Sequence, residues 1–328
     1  MRTCTQYVIT GTRSFRLASR MWFDQYGSQL QNPGKSIIEI YCAPNGRVIV
    51  QADQAGAEAL IVAYECKPGN YRALFINGIK PHTFLAMHIF ADARADWFAG
   101  IEPATFWLSK SPEELRLQAN WKTLDKRIKD SDKEYAIGKR TAHGKSYRMG
   151  WRTYQLANLK QSDGTLVLNR RECIDFLSKF DVLFPEVIEG QTETEYKVRS
   201  SRELRNKFGH PRRFEKILTD SYIREAISWV PQSTVGCLTH QAFINVQRLI
   251  ERDNRSQWDL VSNKHDSLAV ECPISDATDV AQILLSELRV PFTGRDGVEY
   301  RMGAEAAVGR NWGKKTKYNP DGMLELKL

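Results

Sequence analysis

The stretch Val48-Ile-Val-Gln-Ala-Asp53 reads as a buried strand that ends on an acid, entered from the turn Pro44-Asn45-Gly46. A helix follows at once, because Ala57, Leu60, Ile61 and Tyr64 recur at spacings of three and four. Near the other end of the chain, Trp258-Asp-Leu-Val-Ser-Asn and Ser267-Leu-Ala-Val-Glu-Cys272 are two short strand patterns. Lys264-His265-Asp266 joins them as a hairpin with a second acid near its tip. The middle is helical in pattern. Pro81 stands at the first-turn position it tolerates, in a helix expected to run through Phe98. Ser111-Pro-Glu-Glu114 is a capping box and Asn169-Arg-Arg-Glu172 marks another N-terminus, so residues 81–206 are expected to be mostly helical. A further helix is expected after Pro231, carrying Val235, Leu238, Phe243, Ile244, Leu249 and Ile250. Ser275 or Asp276 should cap the next, through about Leu288, and a last strand falls within 297–308. Two strand-bearing ends around a helical insert predict an α+β fold with one sheet made from both ends.

Composition fits a folded chain of this kind. Of 328 residues, 42% are hydrophobic and 26% charged, which excludes disorder as the main state. Lys and Arg number 47 against 39 Asp and Glu, and the surplus of +8 favours a polyanionic partner without specifying one. The surplus is concentrated in the middle of the chain: residues 122–148 carry nine Lys and Arg against four acids, and residues 195–216 are similarly basic. Cysteines at 4, 42, 66, 173, 237 and 272 include no Cys-x-x-Cys pair and read as reduced thiols of a cytoplasmic protein rather than a zinc site. There is no apolar signal core and no apolar run near the roughly 18 residues of a membrane span.

Two features carry chemistry. Asp53 and Asp266 are acids at strand ends, and two carboxylates brought together repel unless they share a cation such as Mg²⁺, which prefers oxygen ligands. Each Asp alone reads more readily as an ordinary turn or cap residue than as a functional one. Tyr135, Lys139, His143 and Tyr147 recur every fourth residue along one helix face, a stripe suited to a flat anionic ligand. The same spacing suits a solvated amphipathic helix with partly buried aromatics. His88 and His240 read as structural, and Phe75, Phe84, Ile89 and Phe90 as core.

Taken together and in order, these segments resemble family A DNA polymerases, the DNA polymerase I type, over residues 9–313. Val48-Ile-Val-Gln-Ala-Asp53-Gln-Ala-Gly-Ala-Glu58 is similar to that family's first palm motif, Gly138-Lys139-Arg-Thr-Ala-His143-Gly-Lys-Ser-Tyr147 to its fingers helix, and Lys264-His265-Asp266-Ser267 to its His-Asp hairpin. Shorter matches lie in Gly11-Thr-Arg-Ser-Phe-Arg16, Leu30-Gln31-Asn32-Pro33, Pro81-His82-Thr83, the segment holding Arg224 and Gln232, and Gly309-Arg-Asn-Trp-Gly313, which resembles the ends of phage enzymes of this family.

The resemblance implies a right-hand polymerase with palm segments at 1–66 and 216–328 and helical fingers at 67–215. It implies two Mg²⁺ ions on Asp53, Asp266 and the Gln54 carbonyl. Lys139 would act on the triphosphate and as proton donor to the leaving group, with His82 beside it. Glu58, His143 and Tyr147 would line the nucleotide pocket, Glu58 excluding a ribose 2′-hydroxyl. Arg16, Gln31, Asn32, Arg224, Gln232 and His265 would meet primer-template DNA. The substrates would be dNTPs, in the cytoplasm of a phage-infected bacterial cell. Nothing before residue 9 could form a thumb or exonuclease, so the resemblance favours one half of a split replicative polymerase that works with a separate thumb or exonuclease polypeptide. A fragment and a compact enzyme with poor grip are the alternatives. Several positions depart from the family: Tyr135 stands for an Arg, Arg148 for a Gly, Ala55-Gly56 for Ser-Gln, Leu60 for an Arg and Ser228 for an Asn. Lys133 or Arg140 would have to replace the missing Arg. These departures motivate a rival reading, a DNA-binding or scaffold remnant without turnover; a related RNA polymerase is a third, opposed by Glu58.

Overall fold

In a computed structural model that describes residues 6–8, 12–20, 31, 34 and 37–328, the central strand is Arg47–Gln54. It lies in a five-stranded antiparallel sheet in the order Leu324–Leu326, Ala304–Gly309, Arg47–Gln54, Ser267–Pro273, Asp259–Lys264. The architecture is α+β, and the sheet is indeed built from both ends of the chain.

Strand alternation gives the sheet two different faces. Val48, Val50 and Ala52, with Leu268, Val270, Cys272, Ala304 and Ala306, pack against two helices, Asp220–Arg252 and Ala277–Leu288. Ile49, Gln51 and Asp53 point the other way, where Ile49 meets Ala43, Ala269 and Trp312 in a small separate cluster. Burial on the first face therefore sets the register that exposes Asp53 on the second.

Eleven α-helices, from Ala57–Glu65 to Asp220–Arg252, separate the central strand from the hairpin. Their core is aromatic: Tyr71, Trp97, Trp107, Phe180 and Phe184 are fully buried. Both capping boxes form, at Ser111 with Glu114 and at Asn169 with Glu172. The helix from Pro81 ends at Phe90, and a short 3₁₀ turn covers Ala95–Phe98. The expected last strand is two, Glu299–Arg301 and Ala304–Gly309. Asp276 takes the N-cap position without a capping bond, because its carboxylate accepts from Trp258 Nε1 at 2.7 Å and Ser275 Oγ at 2.7 Å.

The larger difference is at Pro231, which does not begin a helix but sits inside one of 33 residues, Asp220–Arg252. An interior proline removes a backbone bond at a cost of about 3 kcal/mol. The helix continues because it serves three cores, burying Ile223, Ala226, Ile227 and Trp229 in one before the proline, and Val235 with Leu238, then Ala242 with Val246, in two others after it. The hydroxyls of Ser233 and Thr234 also donate to the Val230 carbonyl at 3.3 and 2.8 Å.

The Pro81–Phe90 helix meets the Asp132–Ser146 helix at Gly138, where a Cβ would stand 2.5 Å from the His82 carbonyl oxygen and 2.9 Å from Ala86 Cβ. Gly138→Ala should therefore destabilise the fold by about 1–3 kcal/mol despite the better helix propensity of alanine. Urea unfolding checks this, and an unchanged or raised midpoint would contradict it.

Candidate functional site

Asp53 and Asp266 are brought together by two adjacent strands. Asp53 pairs with Ser267 across the ladder, and the Gln54 amide donates to the Asp266 carbonyl at 2.9 Å. The hairpin closes through His265, which takes a left-handed φ of 51° that histidine tolerates better than most residues. Thr239 on the long helix holds this corner: its hydroxyl accepts from Gln54 Nε2 at 2.9 Å and donates to the His265 carbonyl at 3.0 Å. The Gln54 side chain is thus buried structure, and only its backbone is available to a ligand.

The two acids feel each other. Burial raises the Asp53 pKa, Gln51 lowers it by donating Nε2–H to Oδ2 at 2.7 Å, and the Asp266 charge raises it again. Asp266 is also raised, by desolvation between the cleft walls although the residue stays exposed, against the pull of Arg16, Lys264 and Lys139. Two carboxylates that burial makes costly to ionise, with oxygen donors only, suit a hard divalent cation. Among the described residues no group of three or more His, Cys, Asp and Glu side chains could hold a metal. A cation on this pair would draw its other ligands from backbone, water or substrate oxygens.

Above the pair lies a second cluster. Glu58, in the first turn of the Ala57–Glu65 helix, accepts from the Arg16 guanidinium on one oxygen and from the Tyr147 hydroxyl on the other. Burial pushes the Tyr147 phenol well up, which keeps it a donor. Arg16 reaches this point because residues 12–16 are clamped to the long helix. Trp229 Nε1 donates to the Arg13 carbonyl at 2.8 Å, and the Ser14 carbonyl lies 3.0 Å from where a Cβ on Gly236 would be. Two polar atoms here have no partner: Arg16 Nε and His265 Nδ1 are buried and unbonded among the described residues.

The stripe on the Asp132–Ser146 helix forms as spaced. Lys139 and His143 are exposed toward the cleft, and the rings of His143 and Tyr147 meet edge to face at 5.3 Å. Lys139 makes no ion pair among the described residues. His82 lies beside the stripe with its ring edge-on to Tyr135 at 5.0 Å, and burial, then Lys80 and Lys139, push its pKa down to about 4. It is therefore neutral at pH 7.

One of the departures noted in the sequence has a local explanation. Arg148 occupies a left-handed φ of 58°, the conformation a glycine takes freely, and offsets it with an ion pair to Glu195. Arg140 donates Nε–H to Asn158 at 2.6 Å, which leaves Lys133 as the exposed cation nearest Tyr135 in sequence. Gln31 is buried, accepting from the Ser19 amide at 2.9 Å and donating to the Asn263 carbonyl at 3.0 Å, so its amide holds the hairpin strand. Arg224 is exposed, and Gln232 lines a shallow depression with Arg13, Arg212 and Glu225. Asn32 lies outside the described residues. Thr239, Gln51 and Trp312 were not singled out in sequence. Only the i−2 position of Gln51, on the Asp53 face of its strand, could have signalled one of them.

No protein-family profile and no curated protein matches the chain. Among solved structures it is similar to the POL domain of Pol1 from M. smegmatis, in complex with DNA primer-template and dNTP. The TM-score is 0.64 at 18% identity, over 94% of this chain and 47% of that one. The likeness is one of fold, a polymerase-like palm core with a helical fingers-like region, and this chain spans about half the length of that structure. No helix among the described residues is long and apolar enough to cross a membrane.

Neutralising one acid should relieve the pair. Because its pKa is raised, folded Asp53 binds a proton more tightly than unfolded Asp53, so stability falls as pH rises through the carboxylate range. Asp53→Asn should raise the metal-free melting temperature at pH 7 by about 2–4 °C, and the gain should vanish below about pH 4. A variant less stable than the parent at pH 7 would contradict a cost of burying the Asp53 charge, to which Asp266 adds.

Proposed function

We propose that the chain is the palm and fingers polypeptide of a template-directed DNA polymerase, adding dNTPs to a primer 3′-hydroxyl. The observation that carries the reading is the convergence of the Asp53–Asp266 pair with the Arg16–Glu58–Tyr147 cluster beside a helix presenting Lys139 and His143. The fold likeness supports it. The palm would comprise 1–66 and 216–328, and the fingers 67–215.

In this reading Asp53, Asp266 and the Gln54 carbonyl would hold two Mg²⁺ ions. When bound, such ions lower the pKa of the attacking hydroxyl and neutralise charge on the attacking and leaving oxygens. Lys139 neutralises the triphosphate and gives a proton to the departing pyrophosphate oxygen. His82, neutral at pH 7, contributes a hydrogen bond to a phosphate rather than a charge. Glu58 stands where a ribose 2′-hydroxyl would lie, and its clamping by Arg16 and Tyr147 makes that wall rigid. Arg16, Arg224 and Gln232 would meet the minor-groove acceptors that every correct base pair presents. His265 at the hairpin tip would meet the primer end. Grip on the duplex is assigned to a separate thumb or exonuclease polypeptide, and the setting to phage replication in a bacterial host.

Primer extension with Mg²⁺ tests this. The unmutated chain should extend a primer distributively, more processively with its partner, while Asp53→Ala and Asp266→Ala should abolish extension. No extension by the unmutated chain, even with a partner, would favour the remnant reading. Glu58→Ala should cut discrimination against ribonucleotides roughly tenfold to 100-fold. A parent that prefers ribonucleotides would instead make the chain an RNA polymerase.

A further inference from the structure

We propose that Trp312 is a positioning residue for Asp53, acting through the side-chain amide of Gln51. The inference rests on the nucleotidyl-transfer reading, in which Asp53 carries metal. Gln51 and Asp53 lie two residues apart on one face of the central strand, and Gln51 Nε2 donates to Asp53 Oδ2 at 2.7 Å. An amide can present either end to a neighbour, but an indole N–H is only a donor. Trp312 Nε1 donates to Gln51 Oε1, which fixes the amide with its NH₂ toward the carboxylate. Asp53 is thereby held in orientation through Oδ2.

The indole is itself held. Its ring packs with Ala43, Ile49 and Ala269 and meets Tyr41 edge-on at 6.2 Å, and its backbone amide donates to the Tyr41 carbonyl at 3.1 Å. The loop that delivers it is tied by the Asn311 and Asn319 amides, which exchange hydrogen bonds at 2.7 and 2.9 Å. Two glycines let it close: a Cβ on Gly309 would stand 2.7 Å from the Gly322 carbonyl carbon, and one on Gly322 2.6 Å from the Gly313 carbonyl oxygen. Such rigidity is more than a surface loop needs and is what an outer support to a metal ligand requires. The short segment Gly309-Arg-Asn-Trp-Gly313 is thus part of the Asp53 site, although it lies far from it in sequence.

The test uses the full chain with Trp312→Phe, which keeps an aromatic ring and loses the N–H, and Gln51→Leu, which loses the amide. Mn²⁺ affinity is measured by calorimetry without DNA, and kcat and KM for dNTP by primer extension; thermal melting checks that each variant folds. Each single variant should weaken Mn²⁺ binding about tenfold and lower kcat with KM for dNTP unchanged. The double variant should be no worse than Gln51→Leu alone, because both changes cut one relay. Parent-like Mn²⁺ binding and kcat in both single variants, or additive losses in the double, would overturn the proposal while leaving the polymerase reading intact. Should the parent bind Mn²⁺ in an Asp53-dependent manner yet never extend a primer, the polymerase reading falls and the Mn²⁺ series alone decides the relay. Absence of Asp53-dependent Mn²⁺ binding in the parent overturns both.

Discussion

Everything at the site depends on one strand being paired on both sides by the other end of the chain. Arg47–Gln54 hydrogen-bonds to Ser267–Pro273 on one edge and Ala304–Gly309 on the other. Its even-numbered residues are sealed against two helices, so a slip of one residue would bury Asp53 and expose Val48, Val50 and Ala52 to the cleft. Apolar burial at about 25 cal/mol per Å² over several side chains makes that slip prohibitive. A non-local register, fixed by greasy residues that take no part in chemistry, is what sets two carboxylates against each other.

That opposition is costly, and the surroundings manage it. Gln51 hydrogen-bonds one acid, and Lys264, Arg16 and Lys139 draw down the other. Arg16 in turn is tied to Glu58, which Tyr147 also holds, so the cleft carries a continuous chain of contacts from the sheet through the first helix to the fingers-like stripe. The basic surplus of +8 is best understood with this geometry: cations crowd a cleft whose floor is acidic, an arrangement suited to a polyanion bridged by divalent ions.

Much of this was legible in sequence because it is local. The strand ending at Asp53, the hairpin, both capping boxes and the four-residue stripe all follow from period and cap chemistry within short windows. What was illegible is long-range or runs against a local rule. Pro231 argues for a helix start, and only the cores packed on both sides of it show why the helix runs through. Gln31 has the chemistry of a DNA contact, yet its amide is engaged by Ser19 and Asn263. Arg140 looked free to replace the missing arginine until Asn158 claimed it. Trp312 and Gln51 are 261 positions apart, and no periodicity links them.

The central claim is that Asp53 and Asp266 form one site for a pair of divalent ions. Its most direct test is the electron paramagnetic resonance spectrum of Mn²⁺ added to the chain with a dideoxy-terminated primer-template and the matching dNTP. The account predicts a spin-coupled pair of ions about 4 Å apart, lost in Asp266→Ala. Magnetically isolated Mn²⁺, or a spectrum unaffected by that substitution, would contradict it.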